Sequence, residues 1–247
     1  SQIYSRTGGF MGVSFAIPID VVLNVYTQLR DKGSVTRGWL GVLIQDVTAE
    51  LAESFSMDKP QGALVSKVLP DSPAAKGGVE TGDIIIRFGG REVDRSSDLP
   101  PIVGTTQVGE KIAVDVIRGG KQQKLSLVIG ALPTSDKELA DASPGKKSRL
   151  DKKLQLSVKD LTDEQREQLL LSSGGVVIDA IENGPAYSAG LRVGDVIMQV
   201  NNQKVDSKKA FDDLSKNLKP GKTVPILIHR QGGPLFLAMK IPANNDG

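Results

Sequence analysis

The sequence predicts a mainly β chain with short helices: two small, partly open β-barrels capped by helices, in tandem behind a strand–helix segment. Three observations predict it. The 247-residue chain repeats itself: Pro73, Gly78, Gly82, Asp83 and Val93 recur as Pro185, Gly190, Gly194, Asp195 and Val205 at a constant offset of 112, which also carries Gly109 onto Gly221 and Arg118 onto Arg230. Such self-similarity means one structural unit used twice. Within each copy, short apolar runs are bounded by Gly, Pro and Asp, and aromatic residues make up only 4% of the chain, which fits a small barrel of short strands. Between the copies, PTSDKELADASPGKKS (133–148) is polar and broken by Pro and Gly, the composition of a linker. The expected units are 1–35, 36–132, the linker 133–148, and 149–247. The two copies are expected to move as separate bodies unless a large apolar interface forms.

In chain order, residues 1–35 supply a strand and a helix; the apolar stretch Met11 to Leu23 is interrupted by Ser14, Pro18 and Asp20, so it does not cross a bilayer. RGWLGV (37–42) leads into an extended run, Val42 to Val47, and Ala63 to Val68 is the next strand. Ser72-Pro73-Ala74-Ala75 starts a short helix, with Ser as cap and Pro at its first position, and Gly78 ends it. Gly82-Asp83 turns into the buried strand Ile84 to Phe88, and Gly89-Gly90 turns into Glu92-Val93. A helix follows at Ser97 to Val103. Lys111 to Ile117 and Lys124 to Ile129 then form a hairpin through Arg118-Gly119-Gly120-Lys121. The second copy repeats this order, with a helix at Lys208 to Leu218 and strands Val224 to His229 and Leu235 to Ile241.

Composition excludes several chemistries. With no cysteine and one histidine, neither a thiolate nor a multi-histidine metal site is possible, and no cofactor is expected. Net charge is +2, from 31 basic against 29 acidic residues, which gives no reason to expect nucleic acid. The basic cluster Lys146, Lys147, Arg149, Lys152 and Lys153 has no interleaved aromatics and reads as a solvated linker end. A start at Ser rather than Met is expected of a piece of a longer chain.

SPAAKGGVETGDIIIRFGGREV (72–93) resembles the central signature of PDZ domains in the strand order of bacterial members, with RGWLGV in the place of their carboxylate-binding loop. TGGFMGVSFAIPIDVVLNVYTQLRDKG (7–33) resembles the last strand and helix of the trypsin-like domain of HtrA/DegP-type periplasmic serine endoproteases. The whole order is similar to DegP-like members, the MucD-like ones among them. The resemblance implies a peptide-binding regulatory PDZ tandem of a periplasmic protein-quality-control protease, which recruits unfolded or misfolded polypeptides by their C-termini. It implies a trimer-based parent protein, with this chain monomeric. The family's His, Asp and Ser triad would lie before Ser1, so no catalytic residue is expected here and the isolated chain should hydrolyse nothing. The alternative is a freestanding adaptor that binds peptides with no enzyme attached.

In the family the ligand is a free C-terminus laid as an extra strand. A carboxylate suits a nest of converging backbone N–H groups, and glycines permit the loop dihedrals that form it. The expected site is Arg37, Gly38, Trp39, Leu40, Gly41 and Val42, with Arg37 adding charge. Leu99, Ile102 and Val103, at helical spacing, are expected to face Leu40 and Val42 as a terminal-residue pocket. Hydrogen bonds to the charged group contribute about 1.5–3 kcal/mol each and a buried terminal side chain roughly another 1.5–3. Association entropy offsets much of this, leaving micromolar affinity. In the second copy the corresponding site is Leu154, Gln155 and Leu156, with Phe211 and Leu214. There Gln155 replaces the glycine, Lys153 replaces Trp39 and Asp151 replaces Arg37, so weaker binding is expected.

Other features read as structural. LSSGG (171–175) looks superficially like a protease nucleophile loop, but the repeat maps Gly175 onto Gly62, where a plain strand begins. His229 lies in the strand run VPILIHR and has no nucleophile to serve. Asp83 and Asp195 read as turn residues. TDEQREQLLL, from Thr162, carries a capping box and reads as a packed helix.

Overall fold

The computed structural model describes residues 2–3, 14–15, 19–33, 35, 37–132, 151, 154–162, 165–166, 174–231 and 233–243. The expected linker 133–148, and residues 163–164 and 167–173, which together include most of the helix expected from Thr162, lie outside the described residues. The chain opens with β1 (Gln2–Ile3) paired to β2 (Ser14–Phe15), then α1 (Ile19–Lys32).

The first copy contains β3 (Gly38–Trp39), β4 (Val42–Asp46), α2 (Ala49–Ser54), β5 (Ala63–Val68) and α3 (Pro73–Lys76). It continues through β6 (Ile84–Phe88), β7 (Arg91–Glu92), a 3-10 turn at Ser96–Asp98, α4 (Leu99–Thr105), β8 (Lys111–Arg118), β9 (Lys121–Val128) and β10 (Gly130–Ala131). The antiparallel order is β4-β5-β6-β8-β9, with β7 on β6, so β4 is an edge strand. β3 pairs separately with β10, Trp39 opposite Gly130.

The second copy contains β11 (Leu156–Asp160), β12 (Val176–Ile181), α5 (Pro185–Ser188), β13 (Val196–Val200), β14 (Gln203–Lys204), α6 (Lys208–Asn217), β15 (Thr223–Arg230) and β16 (Gly233–Lys240). Its order is β11-β12-β13-β15-β16, with β14 on β13. The register repeats in detail. A bulge between Leu43 and Ile44 is matched by one between Ser157 and Val158, and the shift between Ile85 and Arg87 by one between Ile197 and Gln199.

Each copy has its own apolar core. Val65, Ile85, Phe88, Leu99 and Val114 centre the first, and Ile178, Ile197, Phe211, Ile226 and Ile241 the second. The capping box at Thr162 forms: its amide donates to Gln165 Oε1 at 3.0 Å, and the Gln165 amide to Thr162 Oγ1 at 3.2 Å.

Two expectations need correction. Asp83 and Asp195 are more than turn residues. Asp83, 1% exposed, takes Arg118 Nε on one oxygen and Nη2 on the other, each at 2.7 Å, while Nη2 also donates to the Gly78 carbonyl. Arg230 grips Asp195 and the Gly190 carbonyl at the same three distances. Each aspartate holds its arginine's pKa above the ordinary value, chiefly through these hydrogen bonds. Nor are the copies independent bodies. Val47, Leu51, Ala52, Phe55, Leu64 and Ile84 of the first share a buried cluster with Leu227 and Phe236 of the second. Phe55 meets Phe236 edge-on at 5.6 Å between centroids. The Gln45 amide pairs with the Phe236 backbone, Nε2 donating to its carbonyl at 3.1 Å and Oε1 accepting from its N–H at 2.7 Å. The linker's composition said nothing about this apolar contact, which forms elsewhere and locks the tandem.

Candidate functional site

In the first copy, α4 runs antiparallel to β4 and frames it at both ends. At the far end, Ser96 donates from its amide (3.0 Å) and hydroxyl (2.7 Å) to Asp46 Oδ1, pinning the start of the helix to the end of the strand. Those bonds hold the Asp46 carboxyl below its usual pKa. At the near end, the Gly38 backbone lies against the helix terminus: a Cβ there would stand 2.1 Å from the Val103 carbonyl oxygen and 2.8 Å from that of Thr106. Gly38 is therefore required by the packing of α4.

The loop between β3 and β4 turns its carbonyls inward. Leu40 C=O accepts from Ala74 N–H and Gly41 C=O from Leu69 N–H, both at 2.9 Å. Among the described residues, the amides of Leu40 and Gly41 donate to nothing. Gly41 has φ +77°, and a Cβ on it would stand 2.2 Å from Ser72 Cβ. The close approach that this glycine permits comes from Ser72, the cap of α3.

Arg37 is exposed and Trp39 half-buried beside this loop. Leu40, Leu99 and Val103 are buried in the core, whereas Val42 and Ile102 are only partly buried at its margin. Leu99 and Val103 lie on the core face of α4, and Ile102 keeps part of its surface exposed.

The second copy keeps the frame. The Lys208 amide donates to Asp160 Oδ1 at 2.6 Å, tying α6 to the end of β11, and α6 buries Phe211 while Leu214 packs partly buried on the same core. Its loop carbonyls are held alike, Gln155 C=O accepting from Glu182 N–H at 2.8 Å and Leu154 C=O from Ala186 N–H at 3.4 Å. Leu154 and Leu156 are buried. Gln155 adopts φ +57°, and its Cβ and Cγ lie against Gly184, which takes the place of Ser72. The side chain has moved across one contact, from residue 72 in one copy to residue 155 in the other. The offset of 112 already set Gly184 opposite Ser72, so this exchange was readable from the repeat. The ties at Asp46 and Asp160 carried no such signal.

Comparison with known proteins places this geometry. A family model described as PDZ domain matches residues 27–129 and 152–241. The chain is 47% identical over 98% of its length to a probable periplasmic serine endoprotease DegP-like of Hahella chejuensis, and covers 51% of it. It is 48% identical, again over 98%, to the protein of that name from Pseudomonas putida strain GB-1, covering 50% of it. The chain thus spans about half the length of these curated relatives. Among solved structures it is similar to an HtrA-type protease, AlgW with tripeptide, at 37% identity and a TM-score of 0.46, covering 54% of this chain and 44% of that one. With both copies matched, the chain belongs to the PDZ domain family.

Proposed function

We propose that the first copy binds the free C-terminus of unfolded or misfolded polypeptides, and that the tandem is the recruiting and regulatory half of a periplasmic serine endoprotease of protein quality control. One observation carries the binding reading: the unpaired amides of Leu40 and Gly41 stand at the end of the slot framed by the open edge of β4 and by α4. An extended peptide added to that edge gains backbone hydrogen bonds. Its carboxylate meets the two amides, with Arg37 nearby and Ile102 available to its last side chain. The protease reading draws on the relatives' names and on α1, where Ile19, Leu23 and Tyr26 stand 66%, 54% and 59% exposed in a helical row. A second globular body would cover such a row.

Trp39 is the only tryptophan and reports on the loop without a label. A peptide ending in an apolar residue with a free carboxylate should shift its emission at roughly micromolar concentration. The amidated twin should bind at least about tenfold worse, or 1.4 kcal/mol. Equal binding of the two overturns the carboxylate reading. For the protease, the longer natural protein should degrade an unfolded casein-type substrate while this chain leaves it intact.

A further inference from the structure

We propose that the second copy carries a carboxylate-binding site already occupied by the chain's own Asp151, which acts as a built-in ligand. This rests on the reading of the first copy's loop as a carboxylate nest. Leu154 and Gln155 take the places of Leu40 and Gly41, whose amides donate to nothing described. In the second copy both amides are taken by one residue. Leu154 N–H donates to Asp151 Oδ1 at 3.1 Å and Gln155 N–H to the Asp151 carbonyl at 2.9 Å. Asp151 in turn donates its amide to Leu156 C=O at 2.6 Å, an isolated antiparallel bridge at the start of β11. A bound peptide's last residue would act in a like way, pairing with the edge strand's first residue and offering acceptor oxygens to the loop amides; of the two amides, Leu154 N–H is the one that meets the Asp151 carboxylate.

The opposite wall is altered to match. The offset of 112 puts Ser215 of α6 where α4 has the buried Val103. Ser215 is 1% exposed and donates its hydroxyl to Asp151 Oδ2 at 2.5 Å. A buried hydroxyl in place of a valine needs a partner; Ser215 has the Asp212 carbonyl of its own helix at 3.3 Å and, much closer, the Asp151 carboxylate. Three donors from two elements thus converge on one residue. The Cβ and Cγ of Gln155 pack on Gly184, in the contact that Ser72 makes with Gly41 in the first copy. The ligand class of the emptied site is the same as that of the first copy, a peptide with a free terminal carboxylate.

The test uses the whole chain, labelled for amide NMR, with a synthetic peptide ending in a free-carboxylate valine and its amidated twin. In the unmodified protein the peptide should move the signals of Leu40 and Gly41 and leave those of Leu154 and Gln155 in place. In Asp151→Ala it should move both pairs, raising the stoichiometry from one to two, with the amidated peptide at least tenfold weaker at the second site. Without any peptide, hydrogen exchange at the Leu154 amide should be at least tenfold faster in Asp151→Ala. Should that variant fail to fold, Ser215→Val, which restores the first copy's residue, should still speed Leu154 exchange severalfold. Response of Leu154 and Gln155 in the unmodified protein at the concentrations that move Leu40 and Gly41 overturns the proposal. So does Leu154 exchange unchanged by either variant, or a second site still silent in folded Asp151→Ala that binds at the first. Silence at Leu40 and Gly41 alone sinks the first-copy reading, and the exchange measurement then decides on Asp151 by itself.

Discussion

The two copies are alike where a residue holds the barrel and unlike at the loop that leads into the edge strand. Asp83–Arg118 and Asp195–Arg230 repeat to within a tenth of an ångström, and the strand-to-helix ties at Asp46 and Asp160 occupy equivalent places. At the loop, by contrast, Gly41 faces Ser72 in one copy and Gln155 faces Gly184 in the other, and Asp151 fills what Arg37 leaves open. A buried ion pair tolerates no one-sided change, because each partner alone is a stranded charge. A loop amide tolerates any arrangement that still satisfies it or exposes it to water. Scaffold and loop are therefore under different physical constraints, and one fold hosts a loop with unpaired amides beside one whose amides are taken by Asp151.

The largest expected effect tests the shared half of the comparison. Asp83→Ala and Asp195→Ala should each destabilise their copy by about 2–4 kcal/mol, since each removes a buried carboxylate and its two charge-assisted hydrogen bonds to a partly exposed guanidinium. Urea unfolding monitored in each copy should show the smaller loss for Asp83→Ala, because Arg118 keeps a second carboxylate, Glu80 Oε1 at 2.8 Å, where the second copy has Arg192. A loss under about 1 kcal/mol in both copies would show that these aspartates do not hold the barrels.

The next effect tests the exchanged contact. Gly41→Gln should cost about 1–3 kcal/mol, because its side chain is driven into Ser72. Adding Ser72→Gly, which copies the second copy, should return about 0.5–3 kcal/mol of that loss as coupling, although Ser72 also caps α3 through the Ala75 amide at 3.1 Å. Strict additivity of the two substitutions would mean that the contact does not govern the loop.

Much of this was legible in the sequence. The offset of 112 identified the repeat, the hairpin through Gly119-Gly120 and the helix capped by Ser72, since these are local rules of turns and caps. The amphipathic spacing of Leu99, Ile102 and Val103 placed them on one helix, but period alone does not tell a core face from a groove wall. Asp83 and Arg118 were both seen to repeat without being seen to pair, because 35 residues separate them. The contact of Gln45 with Phe236, 191 residues away, has no local signature at all. Asp151 was legible as a change of charge; that its carboxylate would turn back onto Leu154 depended on backbone geometry that no spacing encodes.

The smallest effect distinguishes the copies by pH. His229, 9% exposed, stands where the offset gives the first copy Ile117. Burial lowers its pKa below the ordinary value, and Lys67 of the first copy lowers it further. Nδ1 is buried with no hydrogen-bond partner among the described residues, so at that nitrogen no bond offsets the cost of charging the ring. In the unfolded chain the imidazole binds its proton near pH 6.5. Below that value the unfolded state holds more protons than the folded one, so stability falls as pH drops, until the folded histidine is protonated too. Well above pH 6.5 both states are neutral and the residue contributes no slope. The stability of the second copy should therefore decline between about pH 7.5 and pH 5.5, while His229→Ile, which borrows the first copy's residue, should flatten that decline. Urea midpoints at the two pH values decide it: an undiminished slope in the variant would assign the pH dependence to other groups.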